Sequence, residues 1–225
     1  MKHKLMWIFG VIPMILVLIM LPSLPDIIAV NYNLAGKANA FSSKYLTLLF
    51  GILPLLTSLI PEIYLYFQTK KAVTEKDAAL LEANRKTLIN VFMWCNLLFI
   101  ALTICFLVLS KKNVTQMDDG FPMSKLISGC MGLLMVITGN LLPKARRNAL
   151  FGIRMKWTFY NDTTWNKSHR FGGILFVAYG ILQLLGSILL PDMLPLYLLT
   201  FLLPLVIIII FVYSYKIYKE ETNHA

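Results

Sequence analysis

The sequence predicts an all-α, polytopic membrane protein with six transmembrane helices and both termini in the cytoplasm. Of its 225 residues, 58% are hydrophobic and only 14% are charged, and the mean hydropathy is +0.70. A soluble domain has about 45–50% apolar and about 25% charged residues, so this chain has more apolar side chains than one water-soluble core can hold. Some of them must face lipid, which excludes a soluble enzyme, a secreted domain and a disordered chain.

Six apolar runs can span a membrane, since a helix needs about 20 residues to cross the hydrocarbon core. Their continuity excludes the strands of an outer-membrane barrel, which alternate apolar and polar residues. The first run resembles a signal peptide, but it is longer than a signal h-region and no cleavage site follows directly, so we expect a retained anchor. The predicted spans are Leu5–Leu24, Leu46–Phe67, Leu88–Leu109, Leu126–Leu142, Ile174–Leu190 and Leu194–Tyr215.

The distribution of positive charge orients these spans. Sixteen of the 21 Lys and Arg residues fall at the N-terminus, in the second and fourth loops and in the C-terminal tail, and the other five fall in the first and third loops. Because cytoplasmic loops carry the excess of Lys and Arg, both termini are predicted to be cytoplasmic. The net charge of +10 is therefore explained by membrane topology, and no direct nucleic-acid partner is expected.

The loops divide the chain into two predicted units. Residues 1–67 form a two-span N-terminal membrane domain with a polar outer loop at 25–45, and residues 68–225 form a four-span domain with a cytoplasmic loop at 143–170. Between them, Thr74-Glu75-Lys76-Asp77 is close to a capping box and predicts a helix that extends into the third span. The turn-forming residues of the outer loop are Asn31, Asn33, Gly36 and Asn39.

The loop at 143–170 interleaves seven basic residues with five aromatic ones. Trp and Tyr favour the headgroup level and Lys and Arg are attracted to anionic lipid, so composition alone predicts a segment lying on the cytoplasmic leaflet. Asn161-Asp162 is expected to cap the helix that begins near Thr163. In the last loop, Pro191-Asp192-Met193 predicts a tight turn that joins the final two spans.

Polar side chains inside the spans are candidate functional residues by default. Glu62 is the only acid set well within an apolar run, and snorkelling or pairing with Lys or Arg explains it more simply than proton transport. Asn90, Asn96, Asn140 and Gln183 are expected to form interhelical hydrogen bonds. The alternative is a small transporter or channel-like accessory protein in which Glu62 and Asn96 line a polar path.

Sequence patterns of catalysis and metal binding are missing. There is no His-Glu-x-x-His, no Gly-x-Ser-x-Gly and no phosphate-cradling glycine loop. The three histidines, His3, His169 and His224, are too dispersed to predict a metal site, and the three cysteines are expected to be small buried hydrophobes. No cofactor is therefore expected, and a membrane enzyme with an unfamiliar motif has no positive support.

A longer pattern runs through the fourth loop into the fifth span. It comprises Gly139-Asn140-Leu141-Leu142-Pro143-Lys144, Asn148, Gly152-Ile153-Arg154-Met155-Lys156-Trp157-Thr158, Thr164-Trp165 and His169-Arg170-Phe171-Gly172-Gly173. This pattern resembles the SdpI family, bacterial membrane proteins named for immunity to the sporulation-delaying-protein toxin. The first outer loop, from Leu24 to Asn33 with Gly36 and Lys44, is similar to the N-terminal membrane domain often fused to that family.

The resemblance implies a non-enzymatic immunity protein that protects its cell from a secreted peptide toxin. It also implies a receptor that holds a cytoplasmic autorepressor at the membrane. The chain departs from the family at Met155-Lys156, where Thr-Pro is usual, and at Asn31, where the N-terminal domain often has His. The motif positions carried over as candidate partner-binding residues are Asn140, Pro143, Lys144, Asn148, Gly152, Arg154, Trp157, Thr158, Trp165, His169 and Arg170.

A physical role can be argued for Arg154 beside this resemblance. On a short turn between Gly152 and the indole of Trp157, its guanidinium can bind a carboxylate or a phosphate bidentately. Trp165 and Arg170 are expected to brace the segment against the bilayer. The other interpretation, that these residues only fold and anchor the loop, stays open because cation–aromatic anchoring at an interface is common.

Overall fold

The computed structural model describes residues 1–32, 38–70, 74–111, 123–191 and 194–223, and six of its helical segments are long and apolar enough to cross a membrane. The prediction of six spans is therefore confirmed, and the chain is a multi-pass membrane protein. The spans are Lys2–Ser23, Lys44–Thr69, Asp77–Lys111, Ser124–Lys144, Asp162–Leu189 and Leu194–Asn223.

The first three spans form one packed group, which we call the N-terminal group. It consists of α1 (Lys2–Met20), α2 (Leu48–Thr69) and α3 (Glu75–Lys111), and each helix packs against the other two. Met6 of α1 forms a buried cluster with Ile89 and Met93 of α3, and farther along both helices Val17 packs with Leu107. Because these contacts recur along both helices, one apolar face of α1 lies along one apolar face of α3.

The third helix begins well before its apolar run. Its 37 residues give a length of about 55 Å at about 1.5 Å per residue, against a hydrocarbon core of about 30 Å. A reciprocal cap fixes its start, since the Asp77 N–H donates to Thr74 Oγ1 and the Thr74 N–H donates to Asp77 Oδ2, both at 3.2 Å. The predicted helical extension beyond the third span is thus confirmed.

The first loop contains a β-hairpin that the all-α prediction did not include. Strands β1 (Ile27–Tyr32) and β2 (Ala38–Ser43) pair antiparallel, with Ile27 opposite Ser43 and Ala29 opposite Phe41. The hairpin is closed at its base, where Lys44 Nζ lies 2.9 Å from Asp26 Oδ1 and the Lys44 N–H donates to the Asp26 carbonyl.

Local sequence explains this difference between loop and hairpin. The run from Ile27 to Val30 is rich in β-branched residues, which favour a strand over a turn. Of the four predicted turn formers, Asn31 and Asn39 therefore lie within the strands, and Asn33 and Gly36 lie outside the described residues.

The last three spans form a second packed group, which we call the C-terminal group. It contains α4 (Met123–Leu141), α5 (Asp162–Leu189) and the sixth span, in which α6 (Leu194–Tyr197) runs through a π-helical turn (Leu198–Leu202) into α7 (Leu203–Asn223). Gln183 Nε2 donates to the Pro195 carbonyl at 2.7 Å, which confirms the interhelical bond expected of Gln183. Asp192 of the predicted tight turn lies outside the described residues.

Glycines bring α4 and α5 into backbone contact. A Cβ atom at Gly180 would lie 2.6 Å from the Gly132 carbonyl oxygen, and one at Gly173 would lie 2.6 Å from the Gly139 carbonyl oxygen. Only residues without a side chain allow two helices to approach this closely. These glycines are therefore used for helix packing within the chain.

Contacts between α3 and α4 join the two groups. Because α3 packs chiefly against α1 and α2, the packing places three spans in each group. The division of the chain into units 1–67 and 68–225 stays a prediction.

Candidate functional site: the loop between the fourth and fifth spans

The site begins with the first turns of α5. Asn161 caps this helix as predicted, since its Oδ1 accepts from the Thr164 N–H at 2.7 Å. One and two turns farther on, Trp165 and His169 point inward and are 1% and 0% exposed. Their rings stack with centroids 3.8 Å apart. This stacked pair is therefore inside the protein, and the prediction that Trp165 braces the loop against the bilayer is wrong.

Hydrogen bonds explain why these polar rings can be buried. Trp165 Nε1 donates to the Ala145 carbonyl at 2.8 Å, so the indole N–H is satisfied inside the protein. His169 Nε2 accepts from the Ile153 N–H at 3.0 Å. Its Nδ1 lies 2.8 Å from the Trp165 carbonyl, which fits a neutral imidazole that carries its proton on Nδ1. Both rings thus hold backbone atoms of the segment at residues 143–170. We call this segment the basic-aromatic loop.

Gly152 is required by this packing. Its φ of +130° lies in a region that other residues rarely adopt, and a Cβ there would overlap His169 Nε2 and lie 3.3 Å from Trp165 Cη2. The loop can pass over the two stacked rings only because this position has no side chain.

Asn148 and Thr158 fold the two turns on either side of Gly152. Asn148 Oδ1 accepts from the N–H groups of Leu150 and Phe151, and its amide donates to the Arg146 carbonyl at 2.7 Å. Thr158 Oγ1 donates to the Ile153 carbonyl at 2.8 Å and accepts from the Met155 N–H at 3.1 Å. The turn at Met155-Lys156, where the chain departs from the family, is therefore closed by Thr158.

Trp157 attaches the loop to the sixth span. Its Nε1 donates to Ser214 Oγ at 2.9 Å, and its ring makes edge contacts with Phe211 and Tyr215 at centroid distances of 4.7 and 5.3 Å. The indole is turned to α7 and not to Arg154, whose guanidinium donates to the Ala149 carbonyl. The predicted stacking surface beside Arg154 is thus used for packing.

The other motif residues are exposed and mostly charged. Lys144, Arg154 and Arg170 expose their side chains, and so do Pro143 and Asn140. The interhelical hydrogen bond expected of Asn140 is not found among the described residues. The motif therefore has two parts: a buried set that folds the loop, and an exposed basic set that is available to a ligand.

The loop also contacts the N-terminal group through residues that the sequence analysis did not select. Asn84 Nδ2 donates to the Arg147 carbonyl at 3.3 Å, and Tyr64 Oη accepts from the Ala149 N–H at 3.2 Å. Thr87 Oγ1 lies 3.5 Å from the Lys144 carbonyl. Asn84 and Thr87 are only 5% and 7% exposed and share one face of α3, and two polar residues three apart in a helix are the signal that could have identified them.

Asn96 lies in a closed hydrogen-bond network. Its amide donates to the Met6 carbonyl at 3.0 Å and to Ser58 Oγ at 2.7 Å, and its Oδ1 accepts from Thr57 Oγ1 at 2.8 Å. This network confirms the expected interhelical role of Asn96. Both amide hydrogens are used within the bundle, so the geometry does not favour a polar path along Asn96.

Glu62 has a different partner from the one predicted. Its Oε1 contacts His3 Nε2 of α1, and both side chains are partly exposed. A Lys or Arg partner was expected from the positive charge near this end of the span. The start of α1 supplies the partner instead, because α1 and α2 pack along their length and bring His3 beside Glu62.

Comparisons with known proteins cover both groups of helices. Residues 144–215 match the SdpI/YfhL protein family, and residues 8–57 match a domain of unknown function, DUF1648. The chain is 28% identical over 198 residues to the Immunity protein SdpI of Bacillus subtilis (strain 168), which covers 88% of this chain and 86% of that protein. No solved structure matches the chain. The matches agree with the pattern in the basic-aromatic loop, and they show that the chain is similar to the SdpI/YfhL family over residues 144–215.

Proposed function

We propose that this protein is a non-enzymatic membrane immunity protein that protects its cell by binding a secreted peptide toxin. The similarity to the Immunity protein SdpI carries the proposal, since it supports a membrane immunity role and extends over both groups of helices. Binding needs no catalytic residue. The motif residues of the basic-aromatic loop either fold the loop or expose basic side chains.

We also propose an orientation in the membrane, with both termini in the cytoplasm. The excess of Lys and Arg at the termini and in the second and fourth loops supports a cytoplasmic position for both termini. In this orientation the basic-aromatic loop faces the cytoplasm and the β-hairpin faces outward. A protease that cleaves the C-terminal tail from outside intact cells would contradict it.

The β-hairpin is the outward surface that best fits a membrane-active peptide. Ile27 and Phe41 are 63% and 49% exposed, and the pairing of Ile27 with Ser43 and of Ala29 with Phe41 puts both on one face. The Asp26–Lys44 ion pair holds the base of this face beside α2. An apolar surface at the membrane boundary can bind an apolar toxin before the toxin inserts.

The exposed basic set of the loop is the proposed site for a cytoplasmic partner. Lys144, Arg154 and Arg170 are exposed around a loop that buried Trp165 and His169 hold in place. Acidic side chains of an autorepressor, or lipid phosphates, are the groups that such a surface attracts. We propose that this surface recruits a cytoplasmic autorepressor to the membrane.

Expression in a toxin-sensitive bacterium tests the immunity proposal. Survival and membrane potential are measured while the cells are exposed to the sporulation-delaying peptide, with membrane insertion checked by fractionation. Survival with the potential preserved is the expected result. Loss of potential and viability despite inserted protein would refute immunity to this toxin.

Arg154→Gln tests the exposed basic set. We expect toxin-dependent recruitment of the autorepressor to the membrane to fall about tenfold, because a charge-assisted hydrogen bond contributes about 1.5–3 kcal/mol. Lys156→Gln is the matched control, since it removes the same charge two residues away at a position that departs from the family. Equal recruitment by both variants and the unchanged protein would exclude Arg154 from the site.

A further inference from the structure

A basic cavity lies between the start of α1 and the polar end of α3, away from the basic-aromatic loop. Its volume is about 560 Å³, and Lys2, His3, Arg85 and Lys86 are among the residues that line it. We infer that this cavity binds the phosphate-containing headgroup of an anionic phospholipid.

The charge of the cavity favours an anion. Three of the lining residues, Lys2, Arg85 and Lys86, are cationic, and Glu82 is the acid that lines it with them. Glu82 lies 3.9 Å from Arg85 and 3.8 Å from Lys86, and ion pairs of such length between exposed side chains are weak. A positive charge therefore remains that an anionic lipid can neutralise.

The depth of the cavity matches that of lipid headgroups. On α3, Glu82, Arg85 and Lys86 precede the apolar run that begins at Leu88. On α1, the basic start immediately precedes the first span, and the contact of His3 with Glu62 holds that start against α2. The cavity thus lies where the polar ends of two helices meet the hydrocarbon region.

Asn90 supplies a second and independent observation. It lines the cavity, and its buried Oδ1 has no hydrogen-bond partner among the described residues. A buried acceptor without a donor is unfavourable, and a hydroxyl group of a bound headgroup can satisfy it. Basic side chains for a phosphate and an acceptor for a hydroxyl together fit a phosphoglycerol headgroup.

The surface beside the cavity is suited to an acyl chain. Trp94 and Leu97 follow Asn90 by four and seven residues, on the same face of α3, and are 38% and 37% exposed. Lys86 precedes Asn90 by four residues on that face, so the order along the helix is charge, hydrogen-bond acceptor and apolar stripe. A phospholipid likewise changes from a charged headgroup to apolar acyl chains.

Lipid binding by the full-length protein tests this inference. The protein is purified in mild detergent, and bound lipid is counted by native mass spectrometry after addition of phosphatidylglycerol, phosphatidylcholine or inorganic phosphate. Thermal unfolding is followed under the same conditions. We expect one tightly retained phosphatidylglycerol that raises the melting temperature, and weaker effects of phosphatidylcholine, whose choline group is repelled by the basic residues.

The double variant Arg85→Gln/Lys86→Gln is expected to weaken phosphatidylglycerol binding about tenfold or more, since each basic residue near anionic lipid contributes about fivefold. Lys216→Gln/Lys219→Gln removes the same charge from α7 and is the matched control. Arg85→Lys/Lys86→Arg keeps the charge and should keep the binding, which separates lipid binding from folding.

Three results would overturn the inference. Equal retention of phosphatidylcholine would show that the cavity does not select anionic lipid. Stabilisation by inorganic phosphate equal to that by phosphatidylglycerol would assign the site to a soluble anion. Unchanged binding by the Arg85→Gln/Lys86→Gln protein, with an unchanged melting temperature, would place the lipid elsewhere.

Discussion

The two groups of helices are held together in different ways. In the N-terminal group, the buried amide of Asn96 on α3 bonds to the Met6 carbonyl of α1 and to Ser58 of α2. In the C-terminal group, α4 and α5 touch through their backbones, at Gly132 against Gly180 and at Gly139 against Gly173. The Asn96 contacts use directional hydrogen bonds from a side chain, and the α4–α5 contact uses the absence of side chains.

The difference teaches which changes each group tolerates. Apolar side chains gain little from contact with each other in lipid, so membrane helices associate through close packing and interhelical hydrogen bonds. A network centred on Asn96 fails when its donor is removed, whereas a glycine contact fails when an atom is added. Three substitutions examine this comparison, in order of decreasing effect.

Gly180→Ala should give the largest loss of stability. Its Cβ would lie 2.6 Å from the Gly132 carbonyl oxygen and 2.7 Å from the Val136 N atom, and backbone atoms cannot move aside as a side chain can. We expect the free energy of unfolding in detergent to fall by about 3 kcal/mol, the upper part of the range for overpacking.

Gly129→Ala is the control for this prediction. It adds the same methyl group to α4, but the nearest atom is the rotatable Ser187 Oγ at 3.3 Å. Alanine also favours a helix by about 0.5–1 kcal/mol over glycine, so this variant should be neutral or slightly stabilised. Equal stability of the two alanine variants would show that the α4–α5 backbones are not in contact.

Asn96→Leu should have a smaller effect. The side chain keeps a similar volume but loses its bonds to Met6, Ser58 and Thr57, and each interhelical hydrogen bond in a membrane contributes about 0.6 kcal/mol. A loss of about 1–2 kcal/mol in detergent unfolding is expected. Asn140→Leu, at an exposed position, should be near neutral, and a similar loss in both variants would exclude a special role for the network.

Thr74→Ala should give the smallest and most local effect. It removes the hydroxyl that accepts from the Asp77 N–H at the start of α3, and loss of such a cap costs about 1 kcal/mol. Amide hydrogen exchange should become faster in the first turns of α3 and stay unchanged beyond Leu88. Thr222→Ala near the end of α7 is the control, and faster exchange throughout α3 would mean that its two parts unfold together.

The spans could be predicted because each is a long apolar run, and local caps could be predicted because donor and acceptor lie within one turn. Asn161 with Thr164, and Thr74 with Asp77, are contacts of this kind. The β-hairpin was missed although its first strand is rich in β-branched residues, since polar residues around it favoured a turn. The pairing of Glu62 with His3 was missed because the two residues are 59 positions apart.

The residues of the candidate site were proposed from the sequence, but their division into a buried set and an exposed set was not predicted. The sequence alone does not distinguish buried from exposed residues among Trp165, His169 and Arg170. In the structure the first two are buried and the third is exposed. The face of α5 on which each residue lies decides whether it is buried. Which face is buried depends on how Gly152 and Ala145 pass over α5. These contacts join residues 16 to 20 positions apart, which no local pattern specifies.

Because α3 is long and continuous, its polar end is a rigid extension of the third span. It contains neither Gly nor Pro from Glu75 to Lys111, whereas Pro13 lies inside α1 and two prolines lie inside α2. The arm from Leu88 to Glu75 is about 20 Å long at about 1.5 Å per residue, so a tilt of the span by about 10° moves its tip by about 3 Å. Asn84, about 6 Å from Leu88 along the helix, holds the backbone of the basic-aromatic loop, so the same tilt would displace the loop by about 1 Å.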